Sequence, residues 1–378
     1  MSNSIEALYQ IHSHEIFWIN IQPFLLQRGY RLRPRYDPNW TPSWLQGKSG
    51  KKHPSPILFE DSVCIVEWFI LVFKHIQTTI HAPKSRDILI DATRLENGEK
   101  VVLKKVETNS QEIPFAVTFS SKEWKKDVRN CCVPILDVIM IPCDDDHALL
   151  VMPQLLGFHF LPFRFLGEFC QFTLQVLQGL EFLHEYNIVH RDICWGNILM
   201  DTSKLIPKGN HFVRWDSHTG KLFEKFEWKT RWSVMPIQYY IIDFGISLQC
   251  LSKDARGLGQ WGQDRTVPEM LKNEWCNLFM VDIYQLGNVF KRCITRYQGL
   301  NAFIELADAM TKENPNERPT ATESVRMCKK IIADITEAGK MAKRVWRLDQ
   351  TLDGRQTSAL MLSTLDRIQV RLGWNPTL

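Results

Sequence analysis

The 378-residue sequence predicts an α+β fold, with strands early and helices late, and two local patterns carry that expectation. The runs ILIDATRL from Ile88 and KVVLKKV from Lys100 flank the turn residues ENGE, a hairpin signal in which Asn97-Gly98 supplies the positive φ angles. Further along, Phe169, Phe172, Val176, Leu180 and Leu183 recur at steps of three and four, so Glu168 to His184 reads as an amphipathic helix with a buried stripe. That helix runs directly into IVHRDICWGNILM.

Composition narrows the classes. Lys plus Arg number 46 against 42 Asp plus Glu, and a net charge of +4 is too weak and dispersed for a nucleic-acid footprint. An apolar content of 44% with 23% charged residues suits a packed globular core. Ten cysteines are scattered without any C-x-x-C spacing, which suggests neither zinc nor a disulfide framework. The polar start MSNSIEALYQIHSHE does not read as a signal peptide, and the most apolar run, Val63 to Phe73, is too short to span a bilayer. The expected compartment is the cytosol or nucleus.

Residues 1 to about 60 are dense in Trp, Pro and Arg. There RGYRLRPRYDPNWTPSW reads as an extended, aromatic-anchored segment lying on a domain. GKSGKKHPSP, from Gly47 to Pro56, is a solvated loop by composition.

HRDICWGN, from His190 to Asn197, resembles the catalytic loop of eukaryotic protein kinases, in which an Asn follows the H-R-D Asp by five residues. The Asp must meet an attacking hydroxyl while the Asn, on the same tight loop, reaches a magnesium ion between phosphates. The resemblance makes Asp192 the catalytic base and Asn197 a metal ligand. YYIIDFG follows, and its Asp243 resembles the second magnesium ligand, a carboxylate oxygen suited to a hard cation. TVPE ending at Glu269, DIYQLG from Asp282 and NPNERPT with Arg318 then fall in the family's order, implying a buried Glu269–Arg318 ion pair. VVLK resembles the family's V-A-I-K, so Lys104 would grip phosphates and Glu112, opening the helix EIPFAVTF, would pair with it. Lys105 must point to the opposite face of the strand, where it reads as a solvated charge. In VMPQL, Met152 resembles the gatekeeper, while the Pro153 carbonyl and Leu155 N–H would meet adenine, with Leu89 and Val102 lining the nucleotide site.

Together with the N-terminal Arg/Pro/Trp pattern, these blocks look like a kinase-domain family of filamentous and mushroom-forming fungi, over about residues 15–60 and 86–340. The resemblance implies a two-lobed protein-kinase-like fold. It would comprise a small β-rich lobe at 86–155 and a larger helical lobe at 156–340, with an insertion at 201–235, an N-terminal extension at 1–60 and a tail at 341–378. Residues 61–85 read as an apolar insertion or linker, within which the stretch from about Val63 to Ala82 departs from the family and reads as an inserted helix or an intron carried through in the sequence. The implied activity is transfer of the ATP γ-phosphate, with Mg2+, to a Ser/Thr hydroxyl of a protein.

Three departures from the family leave an alternative open: a pseudokinase or scaffold keeping the fold without efficient catalysis. The glycine-rich-loop positions hold Ala82, Lys84 and Asp87, which cannot bring backbone N–H groups as close to phosphate. Cys194 stands where Ser/Thr kinases place a Lys, and Gly196 does not supply the Arg of tyrosine kinases. The connection around KLFEKFEWKTRW is longer than usual and reads as a surface loop.

Overall fold

The computed structural model describes residues 11–45, 61, 88–221, 224–258 and 262–348. The loop Gly47 to Pro56, the apolar stretch from Val63, the positions Ala82, Lys84 and Asp87, and the tail from 349 onward lie outside the described residues.

Five strands form one sheet in the order β1-β2-β3-β5-β4: β1 Tyr30–Leu32, β2 Leu89–Arg94, β3 Lys100–Glu107, β4 Asp137–Ile141 and β5 Asp144–Pro153. Every neighbouring pair is antiparallel. The β2–β3 hairpin lies where the two β-like runs place it, but its turn differs from the expectation. Only Gly98 in the turn has a positive φ, 74°. The Gly98 N–H donates to the Arg94 carbonyl at 2.9 Å. A four-residue loop of this kind needs one left-handed residue rather than the two a tight primed turn demands.

Strand alternation sends Ile90, Val101, Leu103, Leu149 and Val151 to one face, where they pack against Trp18, Ile21 and Leu25 of the Ile16–Gln27 helix. Leu89 sits opposite Lys104 and Val102 opposite Met152, which places all four on the other face. That face also packs Val106 and Leu150 against Ala116 of the Glu112–Ser120 helix.

Two expectations change here for one reason: the N-terminal segment is built into the sheet. Tyr30–Leu32 is its edge strand, and the fully buried Arg35 guanidinium donates to both Glu15 carboxylate oxygens at 2.7 and 2.8 Å. Such a bidentate pair is the geometry that makes burying two charges tolerable. The helix also covers the face to which Lys105 points, so Lys105 is not a free solvated charge. Its ammonium lies 4.4 Å from the Phe17 ring centre and 3.6 Å from Asp144.

Past the sheet, the Leu166–Glu185 helix begins two residues earlier than the periodicity places it, and its five stripe residues are fully buried. Glu168 explains the start. Its buried carboxylate accepts the N–H groups of Arg164 at 2.6 Å, Phe165 at 3.2 Å and Trp232 at 2.7 Å. The positive end of the helix dipole adds to these bonds, so the charge needs no cation. A second buried helix, Leu278–Arg296, and a third, Ala321–Glu337, complete this core. The segment 201–235 is largely irregular, yet it is not a mere surface loop. Arg231 is 1% exposed and donates to the Phe158 and Leu161 carbonyls, and Val213 enters the core of the five-stranded sheet. No helix among the described residues is long and apolar enough to cross a membrane.

Gly179 marks where the Leu166–Glu185 helix meets Cys131 and the strand Tyr239–Ile241. A Cβ there would lie 1.8 Å from Cys131 Sγ and 3.4 Å from Ile241 Cδ1. Gly179→Ala is therefore expected to destabilise by about 1–3 kcal/mol despite the better helix propensity of alanine. Thermal melting checks this, and the additional Cys131→Ala should recover most of the loss. An unchanged melting temperature in the single variant would show that the contact is not tight.

Candidate active site

Lys104 is where the sheet meets the rest of the cleft. β3 aims its ammonium at Glu112, on the first turn of the Glu112–Ser120 helix, and at Asp243 Oδ1, 2.8 Å away. Burial alone would lower the Lys104 pKa, but Asp243 and Glu112 reverse this and hold it above its ordinary value. Two carboxylates share one cation, and they divide. Burial pushes Glu112 up, with the Asp243 charge adding to it and Lys104 opposing it. Burial acts the same way on Asp243, but there Lys104 prevails and the carboxyl lies below its usual range.

The loop His190–Asn197 is suspended from Asp282, which is fully buried in the Leu278–Arg296 helix. Its carboxylate accepts the N–H groups of His190 at 2.8 Å and Arg191 at 2.6 Å, and meets His184 Nε2 at 3.0 Å. These bonds hold Arg191 at φ 68°, and Asp243 stands at φ 69°. Left-handed non-glycine residues cost of order 1–3 kcal/mol each and persist only where surroundings over-determine them. The imidazole of His190 links the two strained places, with Nε2 3.0 Å from the Ile242 carbonyl and its ring against Phe244 at 5.1 Å.

Asn197 Nδ2 donates to both the main-chain carbonyl and Oδ2 of Asp192, each at 2.9 Å. That engagement turns the amide oxygen of Asn197, the atom a hard cation would take, the other way. Among the described residues no group of three or more His, Cys, Asp or Glu could hold a metal ion. The Asn197 amide oxygen and the Asp243 carboxylate are hard oxygen donors, which would suit a magnesium ion that keeps most of its waters rather than one caged by protein. Burial raises the Asp192 pKa, opposed by the Gln263 N–H and assisted by the Asp243 charge.

On the sheet side, Val102 is buried while Leu89 and Met152 are half-buried beside it. Pro153 ends β5 and Leu155 lies in the link to the next strand. Gln154 between them is turned away, its N–H on Lys100 O at 3.0 Å and its side chain on Asn210 O at 2.8 Å. The Glu269–Arg318 pair is present and buried.

Residues that the motifs did not mark also reach the site. Gln263 holds both oxygens of Asp192, its own N–H on Oδ1 at 2.6 Å and its Nε2 on Oδ2 at 3.1 Å. Gly262 makes this approach possible, because at φ 121° a Cβ would stand 2.6 Å from the Arg191 carbonyl. Gln285 braces the loop from below, accepting the Ile193 N–H at 3.2 Å and donating to Arg191 O at 3.0 Å. Gln285 sits inside DIYQLG and had a signal; Gln263, in an irregular segment, had none.

Residues 165–216 match a family model described as protein tyrosine and serine/threonine kinase, a span that contains Asp192 and Asn197 but neither Lys104 nor Asp243. Over that span the chain is similar to protein kinases, and the mixed helix and strand content is compatible with a kinase-like α+β fold. No curated protein matches the chain.

Proposed function

We propose that this protein is a two-lobed protein kinase that transfers the γ-phosphate of ATP to a Ser/Thr hydroxyl of a protein substrate. The observation that carries the reading is the ammonium of Lys104 held jointly by Glu112 and Asp243, in the cleft that also contains Asp192 and Asn197. In this reading the sheet and the Glu112–Ser120 helix are the small lobe, and Leu89, Val102, Met152 and the Pro153–Leu155 link receive the adenine. Lys104 donates to the phosphates and Glu112 keeps it aimed. Asp192 orients the substrate hydroxyl and takes its proton as the oxygen attacks phosphorus. Asn197 and Asp243 would hold Mg2+, which when bound draws off charge from the phosphate oxygens.

One specific arrangement favours the second reading, a scaffold without efficient turnover. Cys194, 7% exposed, brings no charge to the reacting phosphate, and Gln263 already occupies both oxygens of Asp192. Nucleotide binding is the step common to both readings and is tested first. Mg-ATP should raise the melting temperature of the native protein, and Lys104→Met should abolish most of that rise, because a ligand stabilises only through binding the folded state. The same ATP-induced rise in both proteins would remove Lys104 from the site.

A further inference from the structure

Most buried arginines of this chain are answered by carboxylates: Arg33 by Asp91 at 3.0 Å, Arg35 by Glu15 at 2.7 Å and Arg318 by Glu269 at 2.7 Å. A different group of arginines gathers beside the catalytic loop. Arg292 and Arg296 lie one turn apart at the end of the Leu278–Arg296 helix, and both stack on Trp195, at 4.3 and 5.3 Å from the ring. Arg347 is brought in by the pairing of its strand with Tyr297, next to Arg296. Among the described residues none of the three has a carboxylate within salt-bridge distance; burial lowers the pKa of the half-buried Arg292 and Arg296, with the Arg296 charge adding to it at Arg292 and the Arg347 charge at Arg296. His159, 5.0 Å from Trp195, leaves Nδ1 buried without a hydrogen-bond partner, and burial beside these arginines keeps it neutral.

Holding like charges together is unfavourable, and stacking on one indole returns only about 0.5–2 kcal/mol per cation. Such a cluster is the electrostatic form of an anion site. Its place says which anion. Trp195 is three residues beyond Asp192 and starts the single turn that ends at Asn197. Arg292 also lies near Cys194 of the same loop. A substrate segment reaching Asp192 would pass over these guanidiniums.

We propose that Arg292 and Arg296, stacked on Trp195 and backed by Arg347, form a subsite for an acidic side chain flanking the acceptor hydroxyl of the protein substrate. This rests on the phosphotransfer reading for the direction of approach, and it adds a substrate class: acidic or already phosphorylated segments. Carboxylate and phosphate each present a pair of anionic oxygens that a guanidinium binds bidentately.

The test is direct binding by the full chain, read by fluorescence anisotropy without ATP. The probes are labelled peptides with one central serine flanked by glutamate, phosphoserine, glutamine or arginine. The glutamate or phosphoserine peptide should bind about tenfold or more tightly than the glutamine peptide. Arg292→Gln with Arg296→Gln should remove that preference, and Arg292→Glu with Arg296→Glu should transfer it to the arginine peptide. Arg292→Lys, which keeps charge and fold, should retain a weakened preference. Whichever acidic peptide binds more tightly identifies the anion. Binding of both the glutamate and the phosphoserine peptide no tighter than that of the glutamine peptide by the native chain, or a preference that survives the double Gln change in a folded protein, overturns the proposal. Transfer is then assayed separately with Mg-ATP. Its absence in every arm defeats the phosphotransfer reading alone, whereas transfer without any acidic preference defeats the subsite alone.

Discussion

Asp192→Asn is expected to lower phosphate transfer by about 10²–10⁴ while leaving the Mg-ATP-induced rise in melting temperature in place. The reason is a division of labour in the cleft. In the proposed mechanism Asp192 acts on the hydroxyl, whereas the phosphates and metal fall to Lys104, Asn197 and Asp243; Lys104 is bonded to Asp243, and Asn197 to Asp192 itself. The substitution is not silent structurally. Three donors converge on the Asp192 carboxylate: Gln263 N on one oxygen, Gln263 Nε2 and Asn197 Nδ2 on the other. An amide can accept on one side only, so Asp192→Ala serves as the control for loosened packing. Cys194→Lys in the otherwise native chain should raise transfer, on the order of 10² if a missing cation is what limits it. The scaffold reading expects no transfer from the native protein and none gained. Native-level activity surviving Asp192→Asn would refute the assigned base and point to a contaminating enzyme.

Arg318→Ala should cost about 3–5 kcal/mol, because it leaves a buried carboxylate without its cation. All five N–H groups of Arg318 are engaged. They meet the two oxygens of Glu269 at 2.8 and 2.7 Å, and the carbonyls of Lys312, Met280 and Glu313 at 2.7, 3.0 and 3.0 Å. The guanidinium also stacks on Tyr284 at 4.7 Å. A drop in melting temperature on the order of 10 °C follows from 2–4 °C per kcal/mol for a chain of this class. Arg318→Lys should recover little, since an ammonium offers three donors and no fork. Glu269→Gln tests the same pair from the other side, and a double variant less destabilised than the sum would measure the coupling. A melting temperature within a degree of native for Arg318→Ala would show that the pair does not hold the segment.

Local chemistry made much of this legible. The Leu166–Glu185 helix appeared as a 3.6-residue stripe because each of its five stripe positions is fully buried. The hairpin appeared as two alternating runs around Asn97-Gly98, and Glu269 and Arg318, 49 residues apart, were paired through the ordered motifs around them. Lys105 was misread because alternation says which face a side chain takes, not what covers that face. Covering it is a helix from residues 16–27, distant in sequence.

What the sequence by itself determined is therefore the set of short-range features: strand and helix periods, the Gly98 turn, and the acidic, amide and basic residues at spacings suited to phosphate chemistry. Only the tertiary structure decided how distant segments meet. It built Tyr30–Leu32 into the sheet, buried Arg231 beneath two carbonyls, set Gln263 on Asp192 and gathered Arg292, Arg296 and Arg347 around Trp195. Periodicity reports a residue's relation to its own element. Contacts between segments depend instead on where the chain returns, which is set by packing of the whole core.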